Sequence, residues 1–315
     1  MRKILIFSIL TLICSACSEK GRFYSKEAES LPLEIVVQRF DRDFLALDSA
    51  ALAEKYPDFY PLYIRNILEL PASEIEKFKA DSAVRALCAD VEKEYSSVSD
   101  VEKTLTKAFK YYKYYFPEKQ VPKVSFHVSG FNQCVITLPG RVSVSADYYL
   151  GKDYPLYATV AYQYEVPYLT RHHLPVDVML GWLSSEFPTE DYRLLESMIN
   201  HGKLMYLLEA FFADYQMSEI LSYTPEQFAW CEEHEQRIWH SIVENKELYS
   251  TDWRTIMKYT QPAPFTSGYS QEHSPGRLGV YMGWKIVSSF MKAHKDYTLQ
   301  DLISTTSAQE IMRYY

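Results

Sequence analysis

The side chains able to do chemistry fall into a few short segments. Cys134 stands in an apolar run with His127 seven residues before it. A thiol becomes a nucleophile only when a base or a positive charge favours its thiolate, and nothing in the sequence makes these two residues face each other. His172-His173 follow Arg171, with Pro167 and Pro175 nearby. Adjacent histidines point in different directions and seldom chelate one ion, so the pair reads as a solvated loop. Glu232, Glu233, His234, Glu235 and His240 share one helical stretch, with His240 about 120° round the helix from His234. That run reads as a solvated face. His201-Gly202-Lys203 sits inside a helical pattern, where glycine costs about 1 kcal/mol relative to alanine and so marks the close approach of another element. Pro275-Gly276-Arg277 leads into Gly279 and Gly283, whose spacing makes a smooth strip along one helix face. Arg277 opposes the dipole of the helix it starts, which calls for a carboxylate partner or a functional role. His201, Gly202, Lys203, Pro275, Gly276, Arg277, Gly279 and Gly283 together form the candidate functional or packing cluster.

The motifs of the common chemistries are missing. There is no HExxH, no GxSxG, no P-loop and no dinucleotide glycine fingerprint. No CxxC follows Cys17. No catalytic residue, metal ligand or cofactor site is therefore assigned, and the chain is expected not to be an enzyme. Cys88, Cys134 and Cys231 allow one disulfide at most, with no pairing indicated.

Cys17 carries a different chemistry. Arg2 and Lys3 precede an apolar run from Ile4 to Ile13, and the small residues Ser15 and Ala16 stand just before the cysteine. A charged start, a short apolar core and a small-residue cleavage site make a secretory signal peptide. The run is well short of the roughly 20 residues that cross a bilayer. The cysteine after Ser15-Ala16 resembles the bacterial lipobox, with Cys14 where leucine is usual. Cleavage before Cys17 and lipidation of its thiol are expected. Acyl chains burying about 0.8 kcal/mol per methylene then hold the domain on a membrane without a spanning helix. Residues 1–16 are read as the signal peptide, 17–30 as a lipidated N-terminus and polar tether, and 31–315 as one folded domain.

The formal charge is −8, and loss of Arg2 and Lys3 makes it more negative. An acidic surface excludes nucleic acid as the main partner. Tyrosine is frequent, with 27 residues. Its amphipathic ring suits half-buried packing and interfaces alike.

These residues need elements to position them. Leu33 to Phe40 reads as a strand. Val124, Phe126 and Val128 alternate with Ser125, His127 and Ser129, and strands follow at Val135–Leu138 and from Val142, with Pro139-Gly140 as a turn. Hairpin spacing predicts an antiparallel meander. Helical periodicity covers the Ile75–Val91 and Val101–Phe116 stretches, Val176–Glu186, Glu190–Phe212, Pro225–Asn245 and Leu278–Lys295, while Leu248–Gln271 reads as irregular. The fold class is α+β, a mostly helical single domain with a small antiparallel sheet.

The order of several short motifs resembles the gliding-motility lipoprotein family GldB of the Bacteroidetes. They are Cys17, Arg39-Phe40-Asp41, Tyr56-Pro57-Asp58-Phe59, Tyr114 to Pro117, and Asp147-Tyr148-Tyr149-Leu150-Gly151. The Leu195–Tyr206 helix with Gly202-Lys203, Trp230, and Ser274 to Gly279 running on to Val287 complete the set. The resemblance implies a lipoprotein associated with gliding machinery; the lipid anchor, the tyrosine-rich composition and the missing catalytic motifs point to a non-enzymatic binding or assembly role in the cell envelope, expected at the outer membrane, with an envelope protein as partner. The layout is also similar to gluzincin-like metalloproteases, which implies a degenerate zincin-like shell. By that analogy Val176–Phe187 stands for the metal helix, with Trp182, Leu183 and Ser184 where ligands would be, and His201-Gly202 stands for the late ligand. A periplasmic hydrolase of metalloprotease-like fold is the alternative function.

Overall fold

Pro139-Gly140 closes the tightest turn of the sheet and sets its topology. Gly140 takes φ +67, and the chain doubles back so that β3 (Val135–Leu138) pairs antiparallel with β4 (Arg141–Ser145). The computed structural model describes residues 22–190 and 192–315. β1 (Val37–Arg39) and β2 (Lys123–His127) complete a four-stranded sheet in the order β1-β2-β4-β3. β4 runs parallel to β2, and β2 parallel to β1. The predicted meander is therefore corrected to a mixed sheet. The segment between β2 and β3 is not a hairpin turn. It is pinned by the Asp147 carboxylate, which accepts the Ser129 and Phe131 amides at 3.3 and 2.9 Å, and it carries β3 past β4 to the edge. The strand expected from Leu33 shortens to Val37–Arg39.

Numbering the helices of thirteen residues or more gives α1 (Ser82–Glu94), α2 (Ser99–Tyr115), α3 (Leu174–Glu186), α4 (Leu194–Phe211), α5 (Pro225–Glu244) and α6 (Leu278–Ala293). The predicted boundaries of the last four hold to within a few residues. Pro225 sits in the first turn of α5 behind Thr224, whose hydroxyl accepts the Gln227 amide. Trp253–Thr260 is a further helix inside the stretch read as irregular, capped by the Asp252 carboxylate. The domain is α+β and mostly helical, as expected.

Val124, Phe126, Val142 and Val144 put one sheet face into the main core against the long helices. The other face carries Ser125, His127, Ser143 and Ser145, and it is buried too. A second apolar cluster of Phe40, Phe44, Phe59, Tyr63 and Ile67 covers it, and the Tyr63 hydroxyl donates to Val128 O at 2.6 Å. The polar face tolerates this cover because its members bond one another. His127 Nδ1 lies 2.7 Å from Ser143 Oγ, and Arg141 reaches Gln38 at 2.6 Å.

The tether expected up to Ser30 is shorter in the structure. Ser25 caps a helical turn at Lys26–Glu29, and its backbone N–H donates to the Tyr111 hydroxyl of α2, while Phe23 meets the Tyr206 ring edge-on at 5.4 Å. Cys17, the expected lipidation site, lies outside the described residues. Among the described residues no helix is long and apolar enough to cross a membrane. Cys88, Cys134 and Cys231 are free thiols.

Candidate functional site

Arg277 and Ser222 share an unusual backbone. Each is a non-glycine residue with positive φ, +57 and +54. Ser222 stands just past the helical turn Met217–Ile220. There the Tyr223 amide reaches back to Ser218 O at 2.8 Å, the position that usually needs glycine. Arg277 stands just before α6. The Tyr223 hydroxyl donates to Gly276 O and Arg277 O at 2.9 and 3.0 Å and ties the two turns together. A Cβ on Gly276 would sit 2.3 Å from Ala263 O, so the neighbouring Pro262–Pro264 loop lies directly against this turn.

Between these turns, the edge of the sheet and α3 lies a cavity of about 460 Å³. Tyr148, Tyr164, Tyr168 and Tyr223 supply its aromatic lining, and Pro262, Pro264 and Pro275 line it as well. Concave, aromatic-lined spaces with a few convergent polar groups are where ligands bind.

The polar groups form a chain across the floor. His173, at the N-terminus of α3, places Nε2 3.0 Å from Ser222 Oγ and 3.5 Å from Asp177 Oδ1, one helical turn on. Tyr149 donates to Asp177 at 2.8 Å, and its oxygen lies 3.0 Å from Cys134 Sγ. Burial pushes the Asp177 carboxyl up, but His173, Tyr149 and Arg277 more than offset this, and its pKa lies below the usual carboxylate range. Burial pushes the Cys134 thiol up, and the Asp177 charge adds to the effect. Burial also raises Glu165, against the opposing pull of Tyr164 and Arg277. The site thus holds a charged Asp177, a protonated thiol and a guanidinium.

A serine, a histidine and an aspartate in contact resemble a hydrolytic triad only by composition. In a working triad the carboxylate and the hydroxyl sit on opposite ring nitrogens. Here both contacts converge on Nε2.

The eight-residue cluster singled out in the sequence divides in two. Pro275, Gly276 and Arg277 line the cavity. Gly202, Gly279 and Gly283 belong to helix packing. A Cβ on Gly202 would lie 2.2 Å from the Gly283 carbonyl carbon, and one on Gly279 would lie 2.8 Å from Tyr259. His201 bonds Ser197 O at 2.8 Å in its own helix. Lys203 donates to Thr305 O at 2.6 Å, and burial pulls its pKa down to about 8. The positions drawn from the metalloprotease analogy do not meet in the cavity. Trp182 and Leu183 are buried in the core, Ser184 donates to Leu180 O, and His201 faces elsewhere. No cluster of three or more His, Cys, Asp or Glu able to hold a metal occurs among the described residues.

The reading of His172-His173 as one solvated loop is corrected. His172 is exposed and stacks on Tyr215 at 4.4 Å beside Glu219, while His173 is buried in the cavity floor. The missed signal was the spacing of His173 and Asp177, which puts both on one face of a helix whose first turn is marked by Pro175. Tyr168, Ser222 and Tyr223 had no comparable signal, because their turns come from elements distant in sequence.

No curated protein and no solved structure matches the chain. The family described as gliding motility protein GldB matches residues 23–314, almost the whole sequence. The chain therefore belongs to the GldB family of gliding motility proteins.

Proposed function

We propose that this protein is a lipoprotein anchored through Cys17 at the outer membrane, and that it works by binding an envelope protein in the cavity rather than by catalysis. The observation that carries this reading is the state of the cavity's reactive groups. Asp177 is engaged by His173 and Tyr149, the Cys134 thiol is held protonated, and both partners of His173 share one nitrogen. What faces the space is a recognition surface of tyrosines, prolines and one guanidinium. The test uses the full chain in its native envelope with a photoreactive residue at Tyr164 in the cavity wall, or at exposed Trp253 as control. A discrete protein adduct from Tyr164 alone, lost in Cys17→Ala, is expected. Identical adducts from both positions, or none from Tyr164, would overturn the reading.

One observation favours a second reading, a periplasmic hydrolase. Ser222 combines a strained backbone with a hydroxyl 3.0 Å from a buried histidine. Labelling of Ser222 by a fluorophosphonate, absent in His173→Ala, would establish it in place of the first.

A further inference from the structure

The cavity adjoins the open edge of the sheet. β3 is the outermost strand, next to β4 only. The Ser145 amide donates to Cys134 O at 2.8 Å, and the register pairs Ile136 with Ser143 and Leu138 with Arg141. In an antiparallel ladder bonded pairs alternate. The backbone groups of Cys134, Ile136 and Leu138 therefore face β4, and those of Val135 and Thr137 face outward. Among the described residues nothing bonds the outward groups. Such an edge is a template for one more strand. Val135 lies on the cavity wall together with Tyr168 and Arg277.

Arg277 and Tyr168 are donors without a side-chain acceptor. The guanidinium donates to Leu221 O, and no carboxylate among the described residues lies within ion-pair distance of it. The Tyr168 hydroxyl is enclosed and has no partner. Burial raises this phenol to about 12 while the Arg277 charge pulls the other way, so it stays protonated and feels the guanidinium. An orphaned buried hydroxyl is destabilising until an acceptor arrives. Asp177 and Glu165 also face the space. Asp177 is already engaged by His173 and Tyr149, and burial favours the protonated form of Glu165. An arginine with most of its donors free suits a carboxylate, which it can grip through two parallel bonds.

We propose that the cavity takes an extended, acidic segment of a partner protein, which pairs as a fifth strand with the free edge of β3 and sets a carboxylate against Arg277 and Tyr168. This rests on the binding role proposed above and names the chemistry of its ligand.

The probe is an array of octapeptides on a valine- and threonine-rich background, each position varied through all residue types, read with the full chain purified in detergent. Bound peptides are expected to share an aspartate or glutamate at one position. Changing that acid to its amide should weaken binding at least tenfold in the unaltered protein and hardly at all in Arg277→Gln, which leaves the left-handed turn no more strained than before. N-methylation of alternate peptide nitrogens should abolish binding in one register and spare it in the other. This control acts on the ligand and leaves the protein fold untouched. An acid preference that persists in Arg277→Gln would overturn the carboxylate contact. Equal tolerance of N-methylation in both registers would overturn strand pairing. A Tyr164 photoadduct in the envelope without any array peptide bound would sink this inference and leave the binding role standing, whereas absence of both would remove both.

Discussion

Adding one methyl group at Gly283 tests how tightly α4 and α6 are bound to each other. The Cβ would lie 1.7 Å from Met198 O and 2.5 Å from its carbonyl carbon. Both are backbone atoms, so no rotamer change relieves the contact, and the helices must part by about 1.5 Å to restore a normal distance. A gap of even 0.5–1 Å forfeits roughly a quarter to a half of each dispersion contact. Overpacking typically costs about 1–3 kcal/mol, and a backbone clash belongs at or above the top of that range. The better helix propensity of alanine returns about 1 kcal/mol. The net loss is about 2–3 kcal/mol, which lowers Tm by roughly 3–5 °C at an unfolding entropy of about 2.1 cal/mol/K per residue. The assay is thermal unfolding by circular dichroism of Gly283→Ala beside Gly181→Ala, whose Cβ meets side chains rather than backbone, Val135 at 2.8 Å and Thr137 at 3.9 Å. A Gly283→Ala melt within about 2 °C of the parent, or a larger fall for Gly181→Ala, would refute the packing argument.

Five buried titratable groups give further expectations. Burial pushes His127 down to about 3 from an ordinary 6.5. The unfolded chain then binds the extra proton between these values, and stability present above pH 6.5 is lost as pH falls toward 3, by up to about 1.4 kcal/mol per unit. His127→Leu should flatten that slope in urea titrations, and an unchanged slope would contradict it. Burial also lowers Lys203 from 10.5 to about 8. The folded chain releases its proton first, so stability should rise between pH 8 and 10.5 by about 2–3 kcal/mol. Lys203→Met should remove that rise and be more stable at pH 7, and a persistent rise in the variant would count against the assignment. The thiol of Cys88 is pushed up to about 12, and those of Cys134 and Cys231 are raised as well, burial leading in each case. Iodoacetamide at pH 8 should label none of the three in the folded domain and all of them in urea, as read by mass spectrometry. Rapid labelling of folded protein would show that the thiols are not enclosed.

Much of the fold could be read from local pattern. The long helices α4 and α6 are legible because most of their residues are apolar and buried, and α5 because Thr224 and Pro225 mark its start. The sheet order could not be read in the same way. Alternation in Val124–Ser129 gives a strand with two unlike faces, and the natural expectation is that serine and histidine meet water. Phe40, Phe59 and Tyr63 cover that face instead, a tertiary choice with no local signature. The same limit applies to the cavity. Pro275-Gly276-Arg277 stood out because glycine and a misplaced charge are local anomalies. Tyr168 and Ser222 are ordinary until turns from distant segments bring them together.

The two halves of that glycine-rich segment depend on each other. Gly279 and Gly283 let α6 lie against α4 and Tyr259 with almost no intervening side chain, which fixes the helix along its axis. The turn at its start then has little freedom. Thr266 holds Pro275 O through its amide and its hydroxyl, both at 2.9 Å, Tyr223 holds Gly276 O and Arg277 O, and Gly276 abuts Ala263. With the carbonyls of Pro275, Gly276 and Arg277 all engaged, the left-handed conformation of Arg277 is imposed by its surroundings, and the strain is borne by the packing. The guanidinium is thereby held at the cavity wall rather than left to search for a partner on a flexible stem. A preorganised cation of this kind binds a carboxylate without the ordering cost that a surface arginine would incur. Glycines that look structural and an arginine that looks functional therefore belong to one device, in which close helix packing sets the position of the group that recognises the ligand.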